Sequence, residues 1–307
     1  MRNHSMHDTI AQIQLLRRQK NAVILAHTYQ AAEIQQIADF VGDSLALSLE
    51  ASRVKDAELI VFCGVLFMAE TAAILNPRRK VIMPDTAAGC PMADMISAEQ
   101  LRHFKAEHPG AKVVCYVNST AEVKAESDIC CTSSNAVKVV SSLGTDQEII
   151  FVPDQYLGKF IEKQTGQKMI LWEGYCPVHE KLSADMTKEA KSRFPGVPLM
   201  VHPETRPEVQ ELADYILSTG QMIKLAKESK AQRFLVGTEM GIMHALQNAA
   251  PDKQFIHLNA CLLCPDMKVN NLPKLLNALQ NEETHISVPQ PIADKARLAL
   301  QRMLDLS

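Results

Sequence analysis

The sequence predicts an α/β protein built from three related α/β domains, and three observations carry that prediction. The first is a set of Cys-Pro pairs, Cys90-Pro91, Cys176-Pro177 and Cys264-Pro265, spaced 86 and 88 residues apart in a chain whose other five cysteines are not followed by proline. The second is that each pair closes a similar run, an apolar strand and then a short loop: KVIMPDTAAGCP, KMILWEGYCP and QFIHLNACLLCP. The third is a shared register. His27 to Ser44, Tyr116 to Ser133 and His202 to Thr219 each span 17 residues, while Ser97 to Ser183 and Pro109 to Pro195 are each 86 apart. Several intervals recurring in one order mark an internal repeat rather than chance.

The first copy opens near Asp8, read as a helix N-cap, with Ile10, Ile13 and Leu16 at helical spacing. AVILA (22–26) is a short unbroken apolar run, as expected of a parallel strand covered on both faces, and it delivers His27 and Tyr29 at its carboxyl end. A helix is predicted from Gly42-Asp43-Ser44, followed by the strand LIVFCG, the helix VLFMAETAAIL and the strand KVIMPD. The second copy begins with a capping box at Ser97 and Gln100 and ends its first helix before Pro109-Gly110. Its strand KVVCYV delivers Tyr116 and Asn118, a helix is predicted around Thr132 to Ser134, and EIIFV and MILW lead to Cys176. In the third copy Ser183 caps a helix that stops at Pro195-Gly196, and PLMV leads to His202 and Glu204. A helix from Ser218-Thr219-Gly220 and the strands RFLVG and QFIHL then lead to Cys264. The tail reads as a partial fourth copy docking on the first domain: helix LPKLLNALQ, strand HISV and helix KARLALQRML. The predicted domains are 1–89 with 272–307, 90–175 and 176–271.

A chain of 307 residues accommodates such an array. A formal charge of −3 and a pI near 6.4 provide no basic face, which disfavours nucleic acid as a partner. No run approaches about eighteen apolar residues, and the start MRNHSMHDTI lacks a signal-peptide core, so no membrane partner and a cytoplasmic location are expected. Eight cysteines, two of them adjacent at Cys130 and Cys131, are not spaced as a disulfide framework and point to metal, catalytic or buried thiols.

Ligands of doubly wound sheets bind beyond the carboxyl ends of the strands, where His27, Tyr29, Tyr116, Asn118, His202 and Glu204 all fall. If the domains share an axis, these residues converge with the helix starts at Ser44, Ser133 and Thr219, whose free N–H groups would cradle a small anionic molecule. Singly, each is an ordinary cap or packed ring; the common register is what marks them. The cysteines admit several readings. Cys261-Leu-Leu-Cys264 alone resembles half a zinc site, but no second Cys-x-x-Cys accompanies it. Three thiolates from three domains fit an iron-sulfur cluster with one iron left open as a Lewis acid, the chemistry of dehydration. Cys63, Cys115, Cys130 and Cys131 read as core thiols. An iron-sulfur carrier and a zinc hydrolase stand as rival functions.

The stretches HTYQ, ADFVGDS, CPMAD, YVNST, CTSSNA, CPVH, VHPE, STGQM and GTEMGIMH, in this order over nearly the whole chain, resemble the quinolinate synthase family. The resemblance implies three three-layer α/β/α domains in pseudo-threefold arrangement around a central active site. It implies a 4Fe-4S cluster on Cys90, Cys176 and Cys264, and condensation of iminoaspartate with dihydroxyacetone phosphate to quinolinate, releasing phosphate and water. Tyr29, Tyr116 and Glu204 match the family's proton-handling residues, and His27, Ser44, Asn118, Ser133, His202 and Thr219 its substrate-holding groups. A partner L-aspartate oxidase or aspartate dehydrogenase would supply the imino donor. Only Cys261 and Cys264 stand where some members have a longer Cys-x-x-Cys-x-x-Cys, and an oxidised Cys261–Cys264 pair would withdraw a cluster ligand.

Overall fold

The structure, a computed structural model, describes residues 2–54 and 56–307. Each repeat runs helix, strand, helix, strand, helix, strand, helix, strand. The first comprises α1 (Arg2–Gln19), β1 (Ala22–His27), α2 (Ala32–Ile37), β2 (Phe40–Gly42), α3 (Ser44–Arg53), β3 (Leu59–Cys63), α4 (Leu66–Leu75) and β4 (Lys80–Ile82). The second comprises α5 (Ala98–Glu107), β5 (Lys112–Tyr116), α6 (Ala121–Ala125), β6 (Ile129–Cys131), α7 (Ala136–Ser142), β7 (Ile149–Val152), α8 (Gln155–Thr165) and β8 (Ile170–Leu171). The third comprises α9 (Ala184–Arg193), β9 (Leu199–Val201), α10 (Pro207–Gln210), β10 (Tyr215–Ile216), α11 (Thr219–Glu228), β11 (Arg233–Gly237), α12 (Ile242–Ala249) and β12 (Gln254–His257). Two helices follow, α13 (Leu272–Asn281) and α14 (Gln290–Asp305).

The three sheets have one topology: β2-β1-β3-β4, β6-β5-β7-β8 and β10-β9-β11-β12, every neighbouring pair parallel. These are three four-stranded parallel sheets flanked by helices, the α/β/α class expected from the repeat. The central strands are buried on both faces, as unbroken apolar runs require; all five residues of β3 are buried.

One repeated device explains why the short edge strands form at all. Asp39, Asp128 and Asp214 each precede an edge strand and accept, through Oδ2, the amide of Ile24, Val113 and Leu199 at 2.8, 2.9 and 2.8 Å. Their own amides return the bond to the carbonyl oxygens of the same residues. Each carboxylate also pairs with a cation, Arg17, Lys112 or Lys191. The reciprocal clamp sets the edge strand in register with its neighbour although β2, β6 and β10 hold only two or three residues. Such strands are too short for a periodic apolar signal, which is why reading for periodicity passes over them and over α2, α6 and α10.

Several boundaries differ from the sequence prediction. Asp8 lies inside α1 rather than capping it. The predicted caps Ser97 and Ser183 do cap α5 and α9, and Gly110 and Gly196 adopt φ of 92° and 75° just past those helices, the left-handed turn that ends them. In the second repeat α7 starts only at Ala136, after a turn in which the Asn135 side chain accepts the Thr132 amide at 2.8 Å. HISV forms no strand; His285 makes an isolated antiparallel bridge to Ile82.

The chain forms two compact units, Met1–Cys90 with Cys264–Asp294, and Pro91–Leu263 with Lys295–Ser307. In the first, α13 closes the core: Leu272, Leu275 and Leu279 pack with Ile13 of α1 and with Ile24, Val61 and Ile82 from the sheet. The tail thus docks on the first sheet through α13, whereas α14 runs on into the second unit from Lys295, where Arg302 donates to the Asp128 carbonyl and Asn135 donates to Ser307 Oγ. No helix among the described residues is long and apolar enough to cross a membrane.

Candidate active site

In the second unit a buried carboxylate gathers side chains from the ends of two sheets. Glu204, two residues beyond the His202 that follows β9, is 4 % exposed. Its Oε1 accepts the hydroxyl of Tyr116, the last residue of β5, at 2.6 Å. Its Oε2 lies 2.7 Å from His179 Nδ1 and 3.6 Å from His202 Nδ1. His179 Nε2 meets Thr238 Oγ1 at 2.8 Å, and the His179 and His202 rings stack with centroids 4.9 Å apart. His202 Nε2 in turn reaches Ser133 Oγ at 3.2 Å. The delayed start of α7 leaves Ser133 in a turn rather than in a helix, available for this contact. Burial raises the Glu204 carboxyl, but the imidazoles of His202 and His179 and the hydrogen bonds from His179 and Tyr116 prevail and bring it to about 2. Glu204 is therefore ionised at neutral pH.

Asn118 stands beside this network with a buried Oδ1 that has no hydrogen-bond partner. Such an orphan acceptor is rare in a folded protein and calls for a ligand or water to satisfy it. Thr219, the first residue of α11, is buried, and the cap of that helix is its neighbour Ser218, whose hydroxyl also accepts from Ser134 at 2.8 Å. Of the predicted residues in this unit, Tyr116, Ser133, His202 and Glu204 form one connected network.

In the first unit His27 closes β1 and accepts the Tyr29 amide at Nδ1, 3.1 Å away, while the two rings meet edge to face at 4.8 Å. The third repeat does the same with His202 Nδ1 and the Glu204 amide, 3.3 Å. Ser44 is half-buried at the start of α3, whose N-cap is Asp43. Cys90 and Cys264 are in this unit, and Cys176 is in the other.

His179 and Thr238 are functional candidates that the sequence reading did not single out. A signal was present. His179 lies three residues after Cys176, where the other repeats place apolar Ala93 and Met267, and all three positions are buried. A histidine in a register position otherwise filled by core residues is a break in the repeat that needs a polar reason.

Cys90, Cys176 and Cys264 are half-buried, whereas Cys63, Cys115, Cys130 and Cys131 are fully buried and Cys261 is exposed. Each follows the last strand of its sheet and precedes a 3-10 turn, at Ala93–Met95, His179–Lys181 and Asp266–Lys268. Cys176 Sγ lies 3.2 Å from His179 Nδ1, and Cys176, His179 and Glu204 present ligand atoms within 4.8 Å of one another, a set able to hold a metal ion. By contrast burial alone pushes Cys63 up to about 12, and burial with the charge of nearby Cys115 holds Cys131 well above the usual thiol range.

The model of the family described as Quinolinate synthetase A protein matches residues 11–305. The quinolinate synthase of Dehalococcoides mccartyi strain CBDB1 is 55% identical over 289 residues, covering 94% of this chain and 95% of that protein. The quinolinate synthase of Geobacter sp. strain M21 is 52% identical over 292 residues, 95% of each chain, and quinolinate synthase 1 of Methanosarcina acetivorans is 50% identical over 297 residues, 97% of each. Identity at this level over almost the full length, on a chain whose repeats deliver tyrosine, histidine, glutamate and cysteine to strand ends, leads to one assignment: the chain belongs to the quinolinate synthase family of enzymes.

Proposed function

We propose that the protein condenses iminoaspartate with dihydroxyacetone phosphate to quinolinate, releasing phosphate and water, as a step of NAD biosynthesis in the cytoplasm. The carrying observation is the buried Glu204 held by the Tyr116 hydroxyl and His179, beside the unpartnered Asn118 Oδ1. A condensation with two dehydrations needs protons taken from carbon and delivered to leaving oxygens, work for a carboxylate and a phenol in hydrogen-bond contact. Ionised Glu204 accepts a proton through the Tyr116 hydroxyl at Oε1, and His179, steadied by Thr238, holds Oε2 in place. A substrate carboxylate brought beside Glu204 would raise its affinity for a proton and tune it toward the working pH. Asn118, Ser133 and His202 hold substrate oxygens in the second unit. In the first unit His27 and Ser44 are substrate-holding groups and Tyr29 a proton-handling residue, the roles the family resemblance implies, and Thr219 contributes at the start of α11, a helix end that favours anions.

Cys90, Cys176 and Cys264 would hold a 4Fe-4S cluster. Their half-buried thiols fit that role, since the repeat places one at the same point of each sheet while the deeply buried thiols lie elsewhere. When bound, the cluster supplies one iron without a protein thiolate, a Lewis acid for a hydroxyl or carbonyl oxygen. The common strand order of the three sheets accords with three domains, 1–89 with 272–307, 90–175 and 176–271. An L-aspartate oxidase or aspartate dehydrogenase would feed the imino donor.

The deciding experiment measures iron, acid-labile sulfide and quinolinate formation on protein purified without oxygen. About four iron and about four sulfide per chain with quinolinate produced are expected. About one zinc per chain without iron after anaerobic reconstitution, and no quinolinate, would overturn the proposal.

A further inference from the structure

The second repeat departs from the other two at one buried position. Gln35 of α2 donates from Nε2 to the carbonyl oxygens of Thr28 and Gln30, 2.8 Å each, and Gln210 of α10 does the same to Pro203 and Thr205 at 2.8 and 2.7 Å. Both reach seven and five residues back along the chain. The carbonyls they tie down belong to the loops that present His27 with Tyr29, and His202 with Glu204. The register puts Lys124 of α6 at the same position, 89 residues after Gln35 and 86 before Gln210. Lys124 is fully buried, and its Nζ donates to the Ser119 carbonyl, again five residues back.

A lysine without any exposed surface is exceptional, because the ammonium gives up its water and must be repaid by acceptors and a counter-group. The Ser119 carbonyl is one acceptor. The charge of Lys124 also acts on Cys115 of β5, which is fully buried and paired across the sheet with Cys130 of β6. Burial raises the thiols of Cys115, Cys130 and Cys131 alike. For Cys115 alone the hydrogen bond with Cys130, the charge of Lys124 and hydrogen bonds with Ser119 and Ser127 prevail, and it falls to about 7. The Cys115 thiol also donates to the Tyr116 carbonyl at 3.3 Å, a second contact to the start of the same loop.

We propose that Lys124 is a positioning residue: by drawing the Ser119 carbonyl inward it sets the 116–120 loop so that the Tyr116 hydroxyl meets Glu204 and Asn118 faces substrate. It does with an ammonium what Gln35 and Gln210 do with an amide. The inference rests on the proposed reaction only for its kinetic readout.

The test compares Lys124→Met, which keeps length but removes the donor, with Lys124→Gln, which installs the side chain of the sister repeats, in the full-length, cluster-loaded enzyme. Lys124→Met is expected to lower kcat for quinolinate formation on the order of 100-fold, the scale of a reacting group displaced by about 1 Å, with KM changed by less than about threefold. Lys124→Gln should recover to within about tenfold of wild type. Amide hydrogen exchange over residues 116–120 should quicken in Lys124→Met and not in Lys124→Gln. That readout needs no turnover, so a wild-type protein that makes no quinolinate would sink the functional proposal while leaving this one still under test. Wild-type kcat and exchange in Lys124→Met, or a glutamine variant no better than methionine in both readouts, would overturn it. If Lys124→Met does not fold, Lys124→Gln decides alone: a quickened loop with activity below about 1 % of wild type refutes the inference.

Discussion

Replacing Glu204 by glutamine separates proton handling from architecture, and the structure allows the size of each effect to be worked out. The amide oxygen can still accept the Tyr116 hydroxyl, which lies 2.6 Å from Oε1. The amide nitrogen would then face His179 Nδ1, 2.7 Å from Oε2, and needs an acceptor there. His179 can become one, because its other nitrogen meets a hydroxyl, Thr238 Oγ1 at 2.8 Å, which serves equally as donor or acceptor. No hydrogen bond is lost, but two charge-assisted bonds become neutral, at roughly 1 kcal/mol each. The buried negative charge disappears with them, which offsets part of that cost. The net change in stability should therefore stay within about 2 kcal/mol. Turnover is another matter. An amide takes up no proton, so kcat should fall about 10²- to 10⁴-fold, roughly 3 to 5 kcal/mol of barrier. The assay is quinolinate formation by Glu204→Gln protein whose iron, sulfide and melting temperature are measured on the same sample. A variant with a full cluster and kcat within about threefold of wild type would refute the proton role. A collapse of the fold would instead refute the tautomer argument.

Three further outcomes follow from particular contacts. A methyl group at Gly174 would run into the Pro153 carbonyl oxygen, two residues before Cys176, so Gly174→Ala should displace that loop, lower iron content and cost about 1 to 3 kcal/mol in chemical denaturation, whereas unchanged iron would mean the loop yields elsewhere. Glu282, held between Lys20 and Lys80, has its carboxyl drawn down to about 2 by hydrogen bonds from both, and it contributes stability above its unfolded pKa of about 4.3 that is lost as pH falls through about 2. Glu282→Gln should thus be less stable than wild type at pH 7, by no more than about 1 kcal/mol because the pair is partly exposed, and the gap should narrow in acid; a gap as large at pH 2 as at pH 7 would contradict the assignment. Asp128→Asn and Asp214→Asn should each cost about 1 kcal/mol in urea unfolding by weakening the strand clamp, with equal losses expected because the two clamps match; a loss at one site and none at the other would show that the repeat does not share the device.

Much of this protein was legible in the chain. Short apolar runs between cap and stop signals located the central strands, because a parallel strand buried on both faces needs an unbroken run, and the capping box at Ser97 and Gln100 formed as read. Register did more than propensity: spacing alone aligned His27, Tyr116 and His202 at the ends of three equivalent strands, and Tyr29, Asn118 and Glu204 two residues beyond them. A repeat encodes topology in intervals, and intervals survive where individual residues diverge.

Tertiary structure decided what intervals cannot carry. The edge strands exist because Asp39, Asp128 and Asp214 reach fifteen residues back to a neighbouring strand, a bond between segments that no local pattern reports. The turn that presents Ser133 to His202 stands where a helix start was expected, and the Asn135 side chain fixes it by accepting the Thr132 amide, a contact no local pattern reports. His179 and Lys124 looked unremarkable in sequence, one a histidine after a cysteine and one a lysine in a short helix. Only folding showed one on Glu204 and the other fully buried, because a side chain's charge and hydrogen bonds gain their meaning from the distant groups that replace its water.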